Sequence, residues 1–432
     1  MGDRTMPLLE ALVSQCEGAE DTVVLHINHC MDNSFYFTEQ LKKAFGQVVF
    51  VAVPYNDRNV PEMLSYAAYH GKQTERGYML LKNNCGVEEC AGDFLCAVRR
   101  MIELALNGEI REQMEQGKSL LIVEDGGYHY PVLEQWLAGN PDLDGCVLGC
   151  VEQTTAGLRA SSEARLLYPM ASVARSAYKV RVEAYFVADR VVCELKRMLR
   201  RQGSFVDFHQ VLLLGYGIIG RSIEACIKSH HVQISVWDRD DEILRVAEDD
   251  GHKSWDGEFS GDMIVLGSSG KASFTQEMLD AFLKSDAGRI YIASASSKQV
   301  EFEDIFDRLA CAQKVPLYQA DAYRFPGGKE VVMLAQGFPL NFYDKSSDSL
   351  TYDMIDPVFS EMLLCARMLE KQREQLEKRI YLFGIDAMLG GSRAEKVLLE
   401  RWMALNHICL DIDTFNRHPQ EAHLRKKALE RK

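Results

Sequence analysis

The chain has 432 residues, which is enough for two or three domains. Apolar residues make up 47% and charged residues 26%, a composition typical of a globular protein with a large core. The formal net charge of −14 argues against nucleic acid or an anionic membrane as the main partner. The expected partner is a small-molecule substrate.

Membrane and targeting segments are not predicted. The sequence has no run of about 18 apolar residues, as a transmembrane helix needs. The first residues, "MGDRTMPLLEALV", lack a basic-then-apolar signal pattern, and Met6 stands where a myristoylation pattern needs Ser or Thr. The twelve cysteines are scattered, which favours reduced thiols and a cytoplasmic protein over a disulfide framework.

Short apolar runs alternate with helical patterns in the first part of the chain. Strands are predicted at "DTVVLHI", "QVVFVAVPY", "KSLLIVEDGG" and "DGCVLGCVEQTTAG". Helices are predicted between them at "SFYFTEQLKKAF" and "AGDFLCAVRRMIELALNG". This alternation is typical of a parallel sheet covered by helices, so the first part of the chain is predicted to form its own α/β domain.

A long amphipathic helix over residues 177–201 leads into a second α/β pattern. Its strands are predicted at "QVLLLGYG", "VQISVWD", "DMIVLGSSG", "RIYIASAS" and "EVVMLAQGFPLNF", followed by a helix in "DPVFSEMLLCARMLEKQREQLEKRI". The predicted fold class is therefore α/β, with two Rossmann-like, doubly wound parallel-sheet domains and a helical C-terminal segment.

The stretch "LLLGYGIIGRS" carries the pattern G-x-G-x-x-G in Gly215, Gly217 and Gly220. The first glycine allows a tight turn, the second lets the backbone approach a pyrophosphate, and the third lets helix and strand pack closely. Ile218 and Ile219 begin the predicted helix, whose free N–H groups suit phosphate. The pattern predicts a dinucleotide site, and the alternative is a plain glycine turn.

The strand "VQISVWD" ends in Asp238, at the distance where dinucleotide-binding folds carry an acidic residue. Such a carboxylate accepts hydrogen bonds from ribose hydroxyls and repels a 2′-phosphate. We therefore predict NAD as the cofactor rather than NADP, although the neighbouring Arg239 weakens that preference.

Two clusters contain residue types that bind metals. One is Cys85, Cys90 and Cys96, and the other is His26, His29 and Cys30. Neither spacing matches a usual zinc or iron–sulfur pattern, and alternation along a strand puts His26 and His29 on opposite faces. No metal site is predicted.

Several stretches resemble S-adenosylhomocysteine hydrolases in order and spacing. They are "IVEDGGYHYP", "VEQTTAG", "GYGIIGRSI", "VWDRD", "LGSSG" and "MLAQGFPLNF", spread over about residues 20–370. The resemblance implies a substrate domain over 1–185, an inserted NAD-binding domain over 186–348, a helical return over 349–385 and a C-terminal segment over 386–432. It also implies a hinge in the crossing helix and a homo-oligomer.

In that family NAD⁺ oxidises a ribose hydroxyl, which makes a neighbouring C–H acidic and allows a thiol to leave before water adds. The resemblance implies that Asp125 is the catalytic aspartate, His29 acts near the leaving group, and Lys179 lies beside the hydroxyl. The implied NAD contacts are Thr154, Thr155, Ser269, Ser296 and Asn341.

Other positions depart from the family. The sugar-binding glutamate becomes Gln153, an aspartate becomes Glu183, and the asparagine beside it becomes Ala184. Further substituted positions are Met31, Asn33, Ser297 and Asp348. A site that loses buried hydrogen-bond partners discriminates strongly against its former substrate, so an altered substrate is expected.

Each of these residues also has a structural interpretation. Asp125 can cap the Asp-Gly-Gly turn, Lys179 can be a solvated charge on its helix, and His129 can be a packed loop histidine rather than an acid or base. Three functions remain open from the sequence. They are an NAD-dependent enzyme acting on a nucleoside- or sugar-like alcohol, a non-catalytic NAD-binding regulatory homologue, and an active S-adenosylhomocysteine hydrolase.

Overall fold

A computed structural model of the chain describes residues 5–29, 31–53, 94–230, 232–296, 299–343, 350–417 and 421. The chain divides into two compact units. The first unit is Met1–Glu183 together with Leu350–Lys432, and the second unit is Ala184–Ser349. The second unit is therefore an insertion in the sequence of the first.

The strands of the described residues are numbered in chain order. They are β1 (Thr22–His29), β2 (Gln47–Val53), β3 (Ser119–Glu124), β4 (Val147–Glu152), β5 (Met170–Ser172), β6 (Gln210–Leu214), β7 (Ile234–Trp237), β8 (Lys253–Ser254), β9 (Met263–Gly267), β10 (Arg289–Ser294), β11 (Gln313–Leu317), β12 (Ala320–Arg324), β13 (Glu330–Leu334) and β14 (Ile380–Leu382).

The α-helices are numbered in the same way. They are α1 (Pro7–Val13), α2 (Asp32–Phe45), α3 (Phe94–Ala105), α4 (Arg111–Glu115), α5 (Tyr130–Gly139), α6 (Thr155–Glu163), α7 (Ala184–Arg201), α8 (Ile218–Ile227), α9 (Asp241–Asp249), α10 (Gln276–Lys284), α11 (Phe306–Ala310), α12 (Tyr352–Lys371) and α13 (Gly391–Leu405). A π-helical turn over Tyr178–Glu183 precedes α7, where the sequence predicts one continuous helix from residue 177.

The sheet of the first unit has six parallel strands in the order β14-β5-β4-β3-β1-β2. Its first five strands follow the doubly wound order 2-1-3-4-5, which reverses direction between β1 and β3. β1 is a nearly continuous apolar run because both faces of a parallel strand are covered by helices. Ligands of such sheets bind at the carboxyl ends of the strands beside this reversal.

The edge strand β14 is not predicted from the sequence, which indicates only helix in this part of the chain. Three residues, Ile380 to Leu382, pair with β5 and extend the sheet by one strand. The long helix α12 carries the chain back across this unit and packs against α1. Its Asp356 carboxylate accepts hydrogen bonds from the backbone N–H groups of Leu8 (2.9 Å) and Leu9 (2.8 Å), which caps α1.

The sheet of the second unit has the order β11-β12-β13-β10-β9-β6-β7-β8. Its six parallel strands follow the Rossmann order 3-2-1-4-5-6, and the antiparallel β11 and β12 are added at the β13 edge. In β6, Val211 and Leu213 enter one buried apolar cluster and Leu212 and Leu214 enter another. The sheet is thus covered on both faces, and its reversal lies between β6 and β9.

The α/β fold class predicted from the sequence is confirmed, with both sheets mainly parallel. Within the described part of the chain, no helix combines the length and the apolar character that crossing a membrane requires.

Candidate functional site

The glycine-rich turn of the second unit joins the end of β6 to the start of α8. Gly215 has φ +93°, and a Cβ atom there would lie 2.8 Å from the Ser269 backbone. A Cβ atom on Gly220 would lie 2.2 Å from the Gly215 carbonyl oxygen. A side chain at either position would collide with backbone atoms, so glycine is needed for the turn to pack against the neighbouring strand and helix.

Gly217 differs from its neighbours because an added Cβ atom there would meet no other atom within 4 Å. Packing therefore does not explain its lack of a side chain. The residue lies directly before α8, with Ile218 and Ile219 in the first helical turn, where backbone N–H groups point outward. This open approach to a helix N-terminus, beside the strand reversal, has the form of a pyrophosphate cradle.

Asp238 directly follows β7, beside the turn. Its Oδ2 atom accepts from the Tyr216 backbone N–H at 2.9 Å, and its Oδ1 atom accepts from the Asp240 backbone N–H at 3.0 Å. Each carboxylate oxygen keeps a further lone pair for a ribose hydroxyl. The Arg239 guanidinium donates to the Ala272 carbonyl oxygen, so this contact ties the arginine to the protein.

Ser269 and Ser296 share a buried acid, Glu301, that the sequence patterns do not reveal. The Glu301 carboxylate accepts from the hydroxyls of Ser269 (2.9 Å), Ser273 and Ser296 and from the Gly270 backbone N–H (2.7 Å). Burial raises the pKa of Glu301, whereas these donors oppose the rise. Asn341 is also buried, in a short 3₁₀ turn after β13. The hydroxyls of Ser269 and Ser296 are thus positioned by hydrogen bonds within the protein.

The first unit brings His29 and Asp125 together at its strand reversal. His29 is the last residue of β1, and Asp125 directly follows β3, the neighbouring strand. The His29 Nε2 atom lies 3.4 Å from the Asp125 Oδ1 atom. A partly exposed imidazole beside a carboxylate can exchange a proton with a ligand bound at this edge.

Asp125 is nearly buried, and the Asp125 N–H donates to the Ile27 carbonyl oxygen at 2.9 Å. Burial alone would raise the pKa of Asp125, but the charge and hydrogen bond of His29 and the charge of Lys179 outweigh it and lower the pKa. Asp125 is therefore ionised at neutral pH.

Lys179 and Glu183 lie one turn apart in the π-helical segment Tyr178–Glu183. The Lys179 Nζ atom is 2.7 Å from Glu183 Oε2, and only 12% of each side chain is exposed. Lys179 is thus fixed in a mostly buried ion pair with Glu183, and it is not the solvated charge that the sequence also allowed.

Glu361 of α12 is a second buried acid that the sequence patterns do not reveal. Burial, followed by the charge of Glu395, raises the pKa of Glu361 well above its usual range, and the Lys179 charge opposes the rise. An acidic residue inside the apolar face of "DPVFSEMLLCARML" is the signal that could have indicated it. The shift favours the protonated form of the Glu361 carboxyl group.

Two further buried glutamates end neighbouring strands, Glu124 on β3 and Glu152 on β4. Glu152 accepts from the Gly126 and Thr154 N–H groups at 3.1 and 2.7 Å. Burial and then the Glu124 charge raise the pKa of Glu152 well above its usual range. The Glu124 carboxylate accepts from the backbone N–H of His129, and its second oxygen contacts the Nδ1 atom of the His129 ring. These acids hold the turns that carry Asp125 and Thr154.

His129 is fully buried, and its Nε2 atom lies 2.6 Å from the Tyr168 hydroxyl. It is therefore a packed loop histidine with partners on both ring nitrogens. Among the described residues, Glu124, His129 and Cys150 form the group whose ligand atoms could meet at a metal ion. The hydrogen bonds to Glu124 and Tyr168 account for the His129 ring without one.

His26 lies in the core of the first unit. Its Nδ1 atom is 2.9 Å from the Thr38 hydroxyl, and its ring stacks on Phe50 at 4.8 Å. Thr38 donates its own proton to the Ser34 carbonyl oxygen, so Nδ1 carries the ring proton. Burial lowers the pKa of His26 to about 3, which keeps the ring neutral. Cys30 lies outside the described residues.

The other positions considered from the resemblance lie at strand ends and helix starts. The Gln153 Oε1 atom accepts from Asn28 Nδ2 at 3.3 Å. The Thr154 hydroxyl donates to Glu152 and accepts from the Gly157 N–H, which caps α6, and Thr155 is the first residue of that helix. Met31 and Asn33 are buried at the start of α2, and Ala184 begins α7.

Four positions considered in the sequence, Ser297, Asp348, Cys85 and Cys90, lie outside the described residues. Cys96 falls within the backbone of α3.

No family model matches the chain. An uncharacterised protein of Mycobacterium tuberculosis (strain H37Rv) is 24% identical over 223 residues, which make up 52% of this chain and 40% of that protein. Adenosylhomocysteinase of Aeropyrum pernix is 23% identical over 272 residues, 60% of this chain and 62% of that enzyme. The matches thus span about two fifths and three fifths of the relatives' lengths.

Solved structures that match the chain include two dehydrogenases. D-lactate dehydrogenase from Escherichia coli has a TM-score of 0.38 and 13% identity, covering 81% of this chain and 97% of its own. D-2-hydroxyisocaproate dehydrogenase has a TM-score of 0.34 and 11% identity, covering 81% and 96%. The Rossmann strand order and the glycine-rich turn make the second unit a dinucleotide-binding type of fold.

Proposed function

We propose that this chain is an NAD-dependent enzyme related to adenosylhomocysteinases that oxidises a secondary alcohol of a nucleoside- or sugar-like molecule. The observation that carries the proposal is the ionised Asp125 beside His29 at the strand reversal of the first unit. Titratable side chains that meet at the ligand-binding edge of a doubly wound sheet are candidates for proton transfer to a ligand.

The second unit supports the assignment of NAD. The approach at Gly217 is open, and the Asp238 carboxylate repels the 2′-phosphate of NADP. Arg239, the side chain that would favour NADP, donates to the Ala272 carbonyl oxygen instead. NAD⁺ supplies the hydride acceptor when it is bound.

The first unit supplies the groups that move protons. When a secondary alcohol becomes a ketone, its carbon loses a hydride and its hydroxyl loses a proton. Lys179 gives a proton to Glu183 across 2.7 Å and takes the hydroxyl proton in exchange. Ionised Asp125 accepts the proton next to the new ketone, and His29 delivers a proton to a leaving group, which allows elimination and hydration to follow.

The substituted positions support a substrate other than S-adenosylhomocysteine. The amide of Gln153 is bonded to Asn28, and Ala184 offers no polar atom where the family has an asparagine. Met31 is a buried apolar residue two positions after His29 in the sequence. Such changes remove hydrogen-bond partners for the original substrate and favour a related ring with fewer or different polar groups.

The experiment begins with small molecules released from the purified full chain by denaturation and identified by mass. A panel of nucleosides and polyols is then screened for absorbance of the reduced cofactor. The variant Lys179→Met is expected to lower turnover at least about 100-fold with unchanged NAD affinity. Lys42→Met is the matched control, because Lys42 forms a similar pair with Glu39 at 2.7 Å on α2.

A second candidate is a non-catalytic NAD-binding regulatory homologue. It is favoured by the hydrogen bonds that occupy Thr154 and Gln153 within the protein. In that case NAD binds, no compound in the panel reduces it, and Lys179→Met and Asp125→Ala leave the cellular function unchanged. Thiol release from S-adenosylhomocysteine identifies the remaining alternative, an active hydrolase.

A further inference from the structure

A cavity of about 590 Å³ lies in the second unit at the amino ends of its parallel strands. Arg289 begins β10, Glu330 begins β13, and Arg324 ends the antiparallel β12, so all three meet at this edge. The glycine-rich turn follows the carboxyl end of β6, at the opposite edge. The volume is within the range of small-molecule sites, roughly 300–1,000 Å³.

The two arginines share one carboxylate. Arg289 Nε is 2.7 Å from Glu330 Oε2, and Arg324 Nε is 3.0 Å from Glu330 Oε1. Only 12% of the Glu330 side chain is exposed, so it acts as a fixed anchor. Both guanidinium groups reach Glu330 through Nε, so their terminal nitrogens are not the atoms that form these two ion pairs. Of the described residues, only Tyr291 is bonded to a terminal nitrogen of either arginine, through Arg289 Nη1 at 3.3 Å.

The rest of the lining includes a third cation, Lys329, and the aromatic residue Phe325. The Lys329 ammonium donates to the carbonyl oxygens of Ser285 and Ala287, the latter at 2.7 Å, which keeps one of its three protons for another acceptor. The Phe325 N–H donates to the Lys329 carbonyl oxygen at 2.8 Å and closes the turn that holds both residues. A Cβ atom on Gly328 would meet nothing within 4 Å, so the turn is open.

Three cations therefore face two carboxylates, Asp262 and Glu330, in a chain whose net charge is −14. Asp262 is already engaged by the Arg289 backbone N–H at 3.1 Å. We propose that this cavity binds a phosphorylated small molecule, held by the terminal nitrogens of Arg289 and Arg324 and by Lys329. Paired guanidinium forks are the groups that suit phosphate oxygens best.

The test measures binding of inorganic pyrophosphate to the full chain by titration calorimetry. Arg289→Gln and Arg324→Gln should each raise its Kd at least about tenfold, because each removes one charge-assisted contact. Glu330 keeps one arginine in either variant, so folding is preserved. Arg308→Gln is the matched control, since Arg308 forms an exposed pair with Asp280 at 2.9 Å, and it should leave the Kd unchanged.

Two further measurements distinguish binding at this cavity from binding at the glycine-rich turn and from non-specific attraction. Binding at the glycine-rich turn would be lost in Gly217→Val, whereas binding at this cavity is retained there and in the presence of saturating NAD⁺. Non-specific attraction would be strengthened by Glu330→Gln, which removes a negative charge, whereas loss of the anchor weakens binding at a built site. Absence of pyrophosphate binding, an equal effect of Arg308→Gln, or tighter binding by Glu330→Gln would overturn the proposal.

Discussion

The imidazole of His29 and the carboxylate of Asp125 lie 3.4 Å apart at the carboxyl ends of two neighbouring strands. Strand order produces this contact, because β1 and β3 are adjacent in the sheet although β2 lies between them in the sequence. The same adjacency makes this edge the place where a doubly wound sheet binds ligands. The pair and the proposed reaction therefore depend on the same topological feature.

The pairing of His29 with Asp125 predicts energetic coupling. In a double-mutant cycle with His29→Gln and Asp125→Asn, we expect a coupling in the free energy of unfolding of about 0.5–2 kcal/mol. The folded-state pKa of Asp125 is lowered, so its contribution is present above about pH 4 and is lost as the pH falls through the folded value. Urea titrations at several pH values measure both effects, and additive single-variant effects would contradict the pairing.

The glycine-rich turn predicts two different outcomes for two similar substitutions. Gly217→Val places its side chain in open space, so we expect unchanged thermal stability and at least tenfold weaker NAD binding, roughly the effect of blocking one phosphate contact. Gly220→Val would drive its Cβ atom to 2.2 Å from the Gly215 carbonyl oxygen and should destabilise the second unit. Calorimetry with NAD and a thermal melt distinguish them. Stability loss in Gly217→Val would show a packing role instead.

Glu301 is predicted to position the serines that the resemblance assigns to the cofactor. Glu301→Ala removes the acceptor of the Ser273 and Ser296 hydroxyls, whereas the Gly270 N–H keeps Ser296 Oγ at 3.0 Å and the Ser269 hydroxyl keeps the Lys271 carbonyl oxygen at 2.9 Å. We expect about 3 kcal/mol lower unfolding free energy and weaker NAD binding. Glu301→Gln keeps one acceptor oxygen and should retain most of both. Ser273→Ala, the control, should cost about 1 kcal/mol and leave NAD affinity unchanged. An unaffected NAD affinity in Glu301→Ala would limit this residue to stability.

Asp356 predicts a pH-dependent stability. Burial raises the pKa of Asp356 to about 6, while the two N–H donors of α1 oppose the rise. The folded state thus holds the proton more tightly than the unfolded state, and stability falls as the pH rises from about 4 to about 6. The wild-type chain should lose up to about 3 kcal/mol over this range relative to Asp356→Asn.

Denaturant titrations of both proteins across this range measure the difference. Ser360→Ala is the control, because it removes the 3.3 Å donor to the same carboxylate but keeps the titrating group, so its pH dependence should follow the wild type. A difference between wild type and Asp356→Asn that does not change with pH would refute the assignment.

Local patterns predict the apolar parallel strands and the glycine-rich turn, but not the strands β5, β8, β11, β12 and β14. Apolar runs such as "TVVLHI" and "QVLLL" predict buried parallel strands because both faces of such a strand need apolar side chains. The three-residue strand β14 escapes prediction because it pairs only with β5 and lacks a pattern of its own. The roles of Glu301 and Glu361 are not predicted, because a single acidic residue in an apolar stretch does not indicate which groups surround it in the fold.

The sequence by itself determined two parallel-sheet units and a dinucleotide-type turn, since hydrophobic period and glycine spacing are local properties. Only the tertiary structure decided which polar side chains meet. His29 reaches Asp125, Glu301 gathers three serines, and Glu330 joins Arg289 to Arg324. The physical reason is that strand order and long-range packing set these distances, and neither is written in the spacing of residues along the chain.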